Sequence, residues 1–204
     1  MYTCFIDYEK EFDYVHQETL WKIMTRYRVP TKVINLVKMF YTDVKCSVVT
    51  GGGLSDWFNV KSGVKQGCSM SGFLFLMIVD WIMKQAVKEN NTGIKWVMMH
   101  QLEDIHSADD IGLLASNWNQ LYRKLNRVKL FGEQTRLKID MKKTRSLCIN
   151  PTNNSRFTVD NSEIEEVLKF LYLGGTMSKD VGASEDIRSR IGKAYAAYFK
   201  LQKV

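Results

Sequence analysis

The chain has 204 residues, 45% of them apolar and 25% charged. That length holds one domain with at most a small appendage, and the composition excludes a largely disordered chain. The net charge of +7 is unevenly divided: residues 1–120 carry 12 basic and 13 acidic side chains, residues 121–204 carry 17 and 9. Acids early and bases late suit a protein that handles a polyanion around a metal centre, although a basic face on an ordinary domain gives the same counts. The thiols Cys4, Cys46, Cys68 and Cys148 are scattered and have no ligand spacing with the three histidines. Zinc and a disulfide framework are therefore not expected, and a reducing, intracellular compartment (cytoplasmic or nuclear) is. No signal peptide opens the chain. The longest apolar run, Phe73 to Val79, is too short to cross a bilayer.

Met1 to Ile6 reads as a core strand. A core strand at the first residue creates the expectation of further sequence upstream. Leu20, Ile23, Met24 and Tyr27 recur at helical spacing, as do Val33, Ile34, Val37, Phe40 and Tyr41. Cys46 to Val49 and Trp57 to Val60 flank Gly51-Gly52-Gly53 and predict a hairpin. Ser69 to Val87 predicts a buried helix. Gln101-Leu102 and Ile111 to Leu114 flank a turn-prone acidic stretch, a second hairpin. Trp118, Leu121, Tyr122, Leu125 and Val128 mark a helix, and Leu137 to Ile139 and Ser146 to Ile149 are predicted strands. A loop at residues 150–154 precedes short strands at Phe157 to Val159 and Phe170 to Leu173. The closing helix has Ser184 as N-cap, Glu185 and Asp186 in its first turn, and a core face of Ile187, Ile191, Ala194, Tyr195, Tyr198 and Leu201. Hairpins mixed with helices predict an α+β fold rather than a doubly wound sheet.

Three features can carry chemistry. Asp7 ends the first strand, and Asp109-Asp110 sits at a hairpin tip far along the chain. Carboxylates on neighbouring strand ends can hold two Mg²⁺ ions ~3.5–4 Å apart for an in-line phosphoryl displacement; paired Asp at a turn can equally be a solvated turn. Gly63-Val64-Lys65-Gln66-Gly67 leads into a helix and lets backbone approach a phosphate or base, or serves only as a helix-entry loop. Lys142-Lys143 can neutralise or protonate a pyrophosphate leaving group, or form a solvated face.

Taken in order, the motifs resemble those of the reverse transcriptases of non-LTR retrotransposons (long interspersed elements). Phe5-Ile6-Asp7-Tyr8-Glu9-Lys10-Glu11-Phe12-Asp13 resembles the first palm motif of that family. Gly63 to Ser71 resembles its Gly-Val-x-Gln-Gly motif, and Ser107-Ala108-Asp109-Asp110 its Ala-Asp-Asp signature. Leu137 to Thr144 is similar to Gly-Leu-x-x-Asn-x-x-Lys-Thr, Phe170 to Gly174 to the primer-grip strand, and Ile187 to Ala194 to the first thumb helix. The resemblance implies a right-hand polymerase palm, an antiparallel sheet with helices on one face. Residues 1–168 would be palm, and residues 169–204 the primer grip and the start of a helical thumb. It implies RNA-directed DNA synthesis with two Mg²⁺ ions (or Mn²⁺), an RNA template, a DNA primer and deoxynucleoside triphosphates, with no membrane and an undetermined oligomeric state.

Position by position, the resemblance makes Asp7, Asp109 and Asp110 the metal ligands and Lys143 the proton donor or phosphate neutraliser. Phe12 would be the gate against a ribose 2′-OH. Gln66 and Gly67 would contact the incoming nucleotide and template. Tyr172, Leu173 and Gly174 would hold the primer end, and Arg188, Arg190 and Lys193 would follow the duplex backbone. The chain also departs from the family pattern. Glu11 replaces a small Ala, Ser107 an aromatic residue, Gly72 a Pro, Arg136 a Gly and Asp140 an Asn. Glu11 adds bulk and negative charge beside the triphosphate position, and the family's finger motifs are not seen ahead of Asp7. The expectation is a fragment that is weak or inactive alone; the alternative is a catalytically silent remnant that binds nucleic acid through its basic side.

Overall fold

The computed structural model describes residues 1–60, 62–88, 92–97, 100–153, 155–180 and 184–201. The chain opens with β1 (Tyr2–Ile6), followed by α1 (Glu11–Tyr14), α2 (Gln17–Arg26) and α3 (Thr31–Met39). Next come β2 (Lys45–Cys46), β3 (Val49–Thr50), β4 (Gly53–Leu54) and β5 (Phe58–Asn59), then α4 (Ser69–Ala86). After it lie β6 (Ile94–Val97), β7 (His100–Leu102), β8 (Asp104–Ser107), β9 (Asp110–Ala115) and α5 (Trp118–Gln134). The last part holds β10 (Arg145–Cys148), β11 (Thr158–Val159), β12 (Ser162–Glu163), β13 (Glu165–Glu166), β14 (Lys169–Tyr172), β15 (Gly175–Ser178) and α6 (Ser184–Leu201).

The main sheet has the order β13-β10-β1-β9-β8. It is antiparallel except for the β10–β13 pair. β1 lies at its centre and is buried on both faces, which is why five apolar or small residues in a row can form it. Tyr2, Cys4 and Ile6 join the core shared with α2, α4 and α5. Phe5 points to the opposite face, where it stacks on Phe170 of β14, with ring centroids 4.1 Å apart and planes 12° apart. Helices therefore pack on one face and a β-ribbon covers part of the other.

The helices follow their apolar spacing. Leu20, Ile23 and Met24 of α2 are buried, and Leu121, Leu125 and Val128 of α5 are fully so. Lys124, on the same side of α5, is buried as well. Its ammonium pairs with Glu103 and donates to the Leu114 carbonyl at 2.6 Å and the Glu103 carbonyl at 3.1 Å, so its buried charge is compensated.

Four expectations need correction. Gln101-Leu102 pairs with β6, and the strand that pairs with β9 is Asp104–Ser107. Residues 137–139 make only an isolated bridge, Ile139 to Tyr8, because backbone bonds from Glu9 to Lys138 and from Asp140 to Asp7 shape them into a loop. In the α3 stripe, Ile34, Val37 and Tyr41 are buried while Val33 and Phe40 are exposed. The apolar face expected to be core on α6 is exposed at Ile187, Ile191, Tyr195, Tyr198 and Leu201. α6 is tied to β15 by Asp186, which accepts from the Thr176 amide at 2.8 Å. Ser184, expected as the N-cap, is the first residue of the helix itself, and the side chain of Glu185 lies outside the described residues.

Candidate active site

Two adjacent strands bring the acids together. β1 pairs with β9 from Tyr2↔Ala115 to Ile6↔Ile111, so Asp7 leaves the sheet beside the start of β9. β8 pairs with β9 up to Ser107↔Asp110, which leaves Ala108 and Asp109 as a two-residue turn. Ala108 takes a left-handed φ of 56°, at a cost of about 1 kcal/mol for a residue with a Cβ. Gly112 permits the close pairing behind that turn, since a Cβ there would lie 2.8 Å from Ile105 Cγ1.

Lys143 arrives from a different direction. The Asp140 amide donates to the Asp7 carbonyl at 2.8 Å, and the Thr144 amide donates to the Asp140 carbonyl at 2.9 Å. The Asp140 carboxylate accepts from the Lys142 amide at 2.9 Å, closing a local turn. An Asn would accept the same bond, so Asp140 is a conservative departure. Buried Thr144 faces the Asp7 amide at 3.4 Å. The outcome is an ion pair between Lys143 Nζ and Asp7 Oδ1 at 3.1 Å. Asp140 and Thr144 were not assigned a positioning role from the sequence. The signal was an Asp two residues before a basic pair.

Asp7, Asp110, Lys143 and Tyr172 line one small cavity of about 40 Å³. The acids act on one another electrostatically. Partial burial, then Asp109 and Asp7, hold the Asp110 carboxyl above the usual range. Half-buried Glu11 is pushed up to about 7, by burial first and then by Asp109 and Asp7, with Lys143 opposing. Lys143 is raised in turn by its bond to Asp7. Among the described residues no three His, Cys, Asp or Glu side chains converge closely enough to enclose a metal ion. The donors still suit Mg²⁺, which keeps several waters and takes one or two carboxylates plus substrate oxygens rather than an all-protein cage.

Phe12 lies on α1 with Glu11, and its ring stacks on Phe75 of α4 at 5.2 Å. Gly63 docks against that segment with φ 83°, where a Cβ would lie 2.7 Å from the Phe12 and Asp13 carbonyls. Only Gly fits there. Gln66 and Gly67 are exposed beyond this contact, and Gln66 lines a separate cleft of about 680 Å³ with Asp13, Tyr41 and Phe58. In β14 the strand alternation turns Phe170 and Tyr172 inward and leaves Leu171 exposed, and Leu173, exposed as well, begins the turn with a left-handed φ of 47°. Gly174 follows with φ 78°. The Tyr172 phenol is within bonding distance of the Ile105 and Asp110 carbonyls, at 3.0 and 3.1 Å. Arg188, Arg190 and Lys193 lie exposed along α6, with Arg190 Nε bonded to Asp186 at 2.7 Å.

The sequence profile of the reverse transcriptase (RNA-dependent DNA polymerase) family matches residues 1–177. The chain belongs to this family. It is 24% identical over 176 residues to the retrovirus-related Pol polyprotein from type-1 retrotransposable element R2 of Nasonia vitripennis, a match covering 82% of this chain and 17% of that protein. Its counterpart from Popillia japonica is 22% identical over 183 residues, covering 85% of this chain and 30% of that protein. The chain thus spans less than a third of these curated relatives and matches the reverse transcriptases of non-LTR retrotransposons. Apo telomerase from Candida tropicalis superposes with a TM-score of 0.63 at 18% identity, over 89% of this chain and 32% of that one. Telomerase from Candida tropicalis in complex with a fragment of telomeric RNA gives 0.63 at 17%, over 89% and 29%. The shared fold is the palm of a right-hand polymerase. Reverse transcriptases generally use divalent metal ions and handle nucleic acids and nucleotides. Among the described residues no helix of this one is long and apolar enough to cross a membrane.

Proposed function

We propose that this reverse transcriptase chain is the palm portion of an RNA-directed DNA polymerase that extends a DNA primer on an RNA template from deoxynucleoside triphosphates. The observation that carries the reading is the meeting of Asp7, the Asp109-Asp110 turn and Lys143 at one edge of the sheet. Asp7, Asp109 and Asp110 would hold two Mg²⁺ ions (or Mn²⁺), which when bound polarise the attacking and leaving oxygens. Lys143, already held beside Asp7, neutralises charge on the departing pyrophosphate or protonates it. Phe12 excludes a ribose 2′-OH from its place on α1, and Gln66 and Gly67 meet the nucleotide and template. Residues 1–168 form the palm, while 169–204 form the primer grip, with Leu173 and Gly174 at its exposed turn, and the first thumb helix, with Arg188, Arg190 and Lys193 toward the duplex. This work takes place inside the cell, in cytoplasm or nucleus.

Glu11 supports the companion reading of weak activity in isolation. A fourth carboxyl among three acids opposes a triphosphate more than it helps one. The deciding experiment is primer extension on a poly-ribonucleotide template at saturating Mg²⁺, run on this chain and on a longer form from the same element. Little extension by the chain and robust extension by the longer form, lost on Asp109→Ala, are expected. Extension that survives Asp109→Ala overturns the assignment. No extension by either form, with nucleic-acid binding kept, identifies a silent remnant.

A further inference from the structure

We infer that the Tyr172 hydroxyl is a positioning group for the Asp109-Asp110 turn, holding the two strands of that hairpin together from behind, rather than a group that touches the primer. The inference rests on the polymerase reading for its consequence but on geometry for its substance.

Tyr172 belongs to β14, a ribbon outside the main sheet. Its hydroxyl reaches the Ile105 carbonyl on β8 at 3.0 Å and the Asp110 carbonyl on β9 at 3.1 Å. These two carbonyls stand on opposite strands, and the chain between them contains the turn at Ala108 and Asp109. A carbonyl engaged in a strand ladder keeps a second lone pair. One phenolic proton shared between two such carbonyls joins the strands at the base of the turn. The ring is fixed independently of this bond: it packs against Phe5 of β1 at 5.4 Å, next to Phe170, itself stacked on Phe5.

The placement matters because the turn carries local strain. Ala108 holds a left-handed backbone at the point where the two aspartates must be aimed. A two-residue turn at the end of a strand pair frays readily unless something outside the ladder restrains it. The neighbouring residues of the primer-grip segment differ in kind. Leu171 and Leu173 are exposed, while Tyr172 is turned inward by strand alternation. A side chain whose polar atom is aimed at the catalytic hairpin from beneath is not at the same time presented to a primer.

The test is Tyr172→Phe, which keeps the ring and its stacking and removes only the hydroxyl. Three measurements on the full chain separate the possibilities: hydrogen exchange of the amides in residues 105–111, affinity for Tb³⁺ as a luminescent probe displaced by Mg²⁺, and binding of an RNA–DNA hybrid duplex. Exchange in the hairpin should quicken about fivefold, the size expected for removal of one hydrogen bond. Tb³⁺ affinity should fall by a similar factor, with duplex affinity unchanged. A role confined to general stability would lower the melting temperature and leave Tb³⁺ affinity in the folded range as it was. Unchanged hairpin exchange overturns the inference. So does a fall in duplex affinity with hairpin exchange intact, which would return Tyr172 to the primer. If the native chain binds no Tb³⁺, the active-site reading fails, and the exchange measurement alone still decides whether the tether exists.

Discussion

Lys143 Nζ lies 3.1 Å from Asp7 Oδ1 across 136 positions of sequence. The pairing arises because the backbone of Asp140 is bonded to the backbone of Asp7, so the loop that carries the lysine is pinned to the strand that carries the acid. The lysine thus places a positive charge directly beside the Asp7 carboxylate.

Lys143→Gln should therefore strengthen cation binding. Lys143 is exposed and Asp7 is partly so, and solvent screens the pair, so thermal stability should change by less than about 1 kcal/mol. Removing a positive charge beside Asp7 should nonetheless tighten Tb³⁺ binding severalfold at low salt. Luminescence titration checks this, and weaker binding in the variant would show that the lysine supports the site rather than competing for it.

Glu11 should make the fold lose stability as pH rises. Its carboxyl is raised to about 7 in the fold by burial, Asp109 and Asp7. Between the ordinary glutamate range and about 7 the folded state holds a proton that the unfolded state has released. Stability is then fully present below that window and declines across it. Solvent reaches much of the group, so the effect should be about 1 kcal/mol after screening. Urea denaturation of Glu11→Gln at pH 8 should give a more stable chain, with the decline between pH 5 and 7 flattened. An unchanged profile would remove Glu11 from the acidic group.

Arg136→Gly should stabilise. Arg136 follows α5 with φ 63°, the left-handed position where helices often end in glycine. Relief of the Cβ clash, less the greater freedom of an unfolded glycine, leaves a gain of about 0.5–1 kcal/mol. A lower denaturation midpoint would mean that the arginine side chain has a partner worth more than its backbone strain.

Nucleic-acid binding should be salt-dependent and indifferent to base sequence. Replacing Arg188 or Lys193 with Ala should weaken duplex binding and reduce the slope of log affinity against log salt by about 1 for each phosphate that is no longer neutralised. Fluorescence anisotropy across a salt series measures it. A slope that stays constant in both variants would place the binding face elsewhere.

Much of the candidate site was legible in the sequence because its signals are local. The β1 strand, the acidic hairpin, the glycine loop before α4 and the basic pair each occupy a few consecutive residues, and their order carries the family. Arg136 is instructive: where the family has glycine, the backbone is left-handed, so a departure visible in one letter marks a strained position. The exposed stripe of α6 could not be read correctly, because helical spacing reports an apolar face and says nothing about whether anything packs on it.

The sequence by itself determined the α+β palm and the family, and it singled out the candidate acids and lysine, since hydrophobic period and motif order are properties of neighbouring residues. Only the tertiary structure decided that Lys143 is paired with Asp7, that Glu11 is electrostatically coupled to the aspartates, and that Tyr172 points at the Asp109-Asp110 turn. Each of those depends on strand register and on hydrogen bonds between segments far apart in the chain. A shift of one residue in β14 would have turned Tyr172 outward with no change in composition.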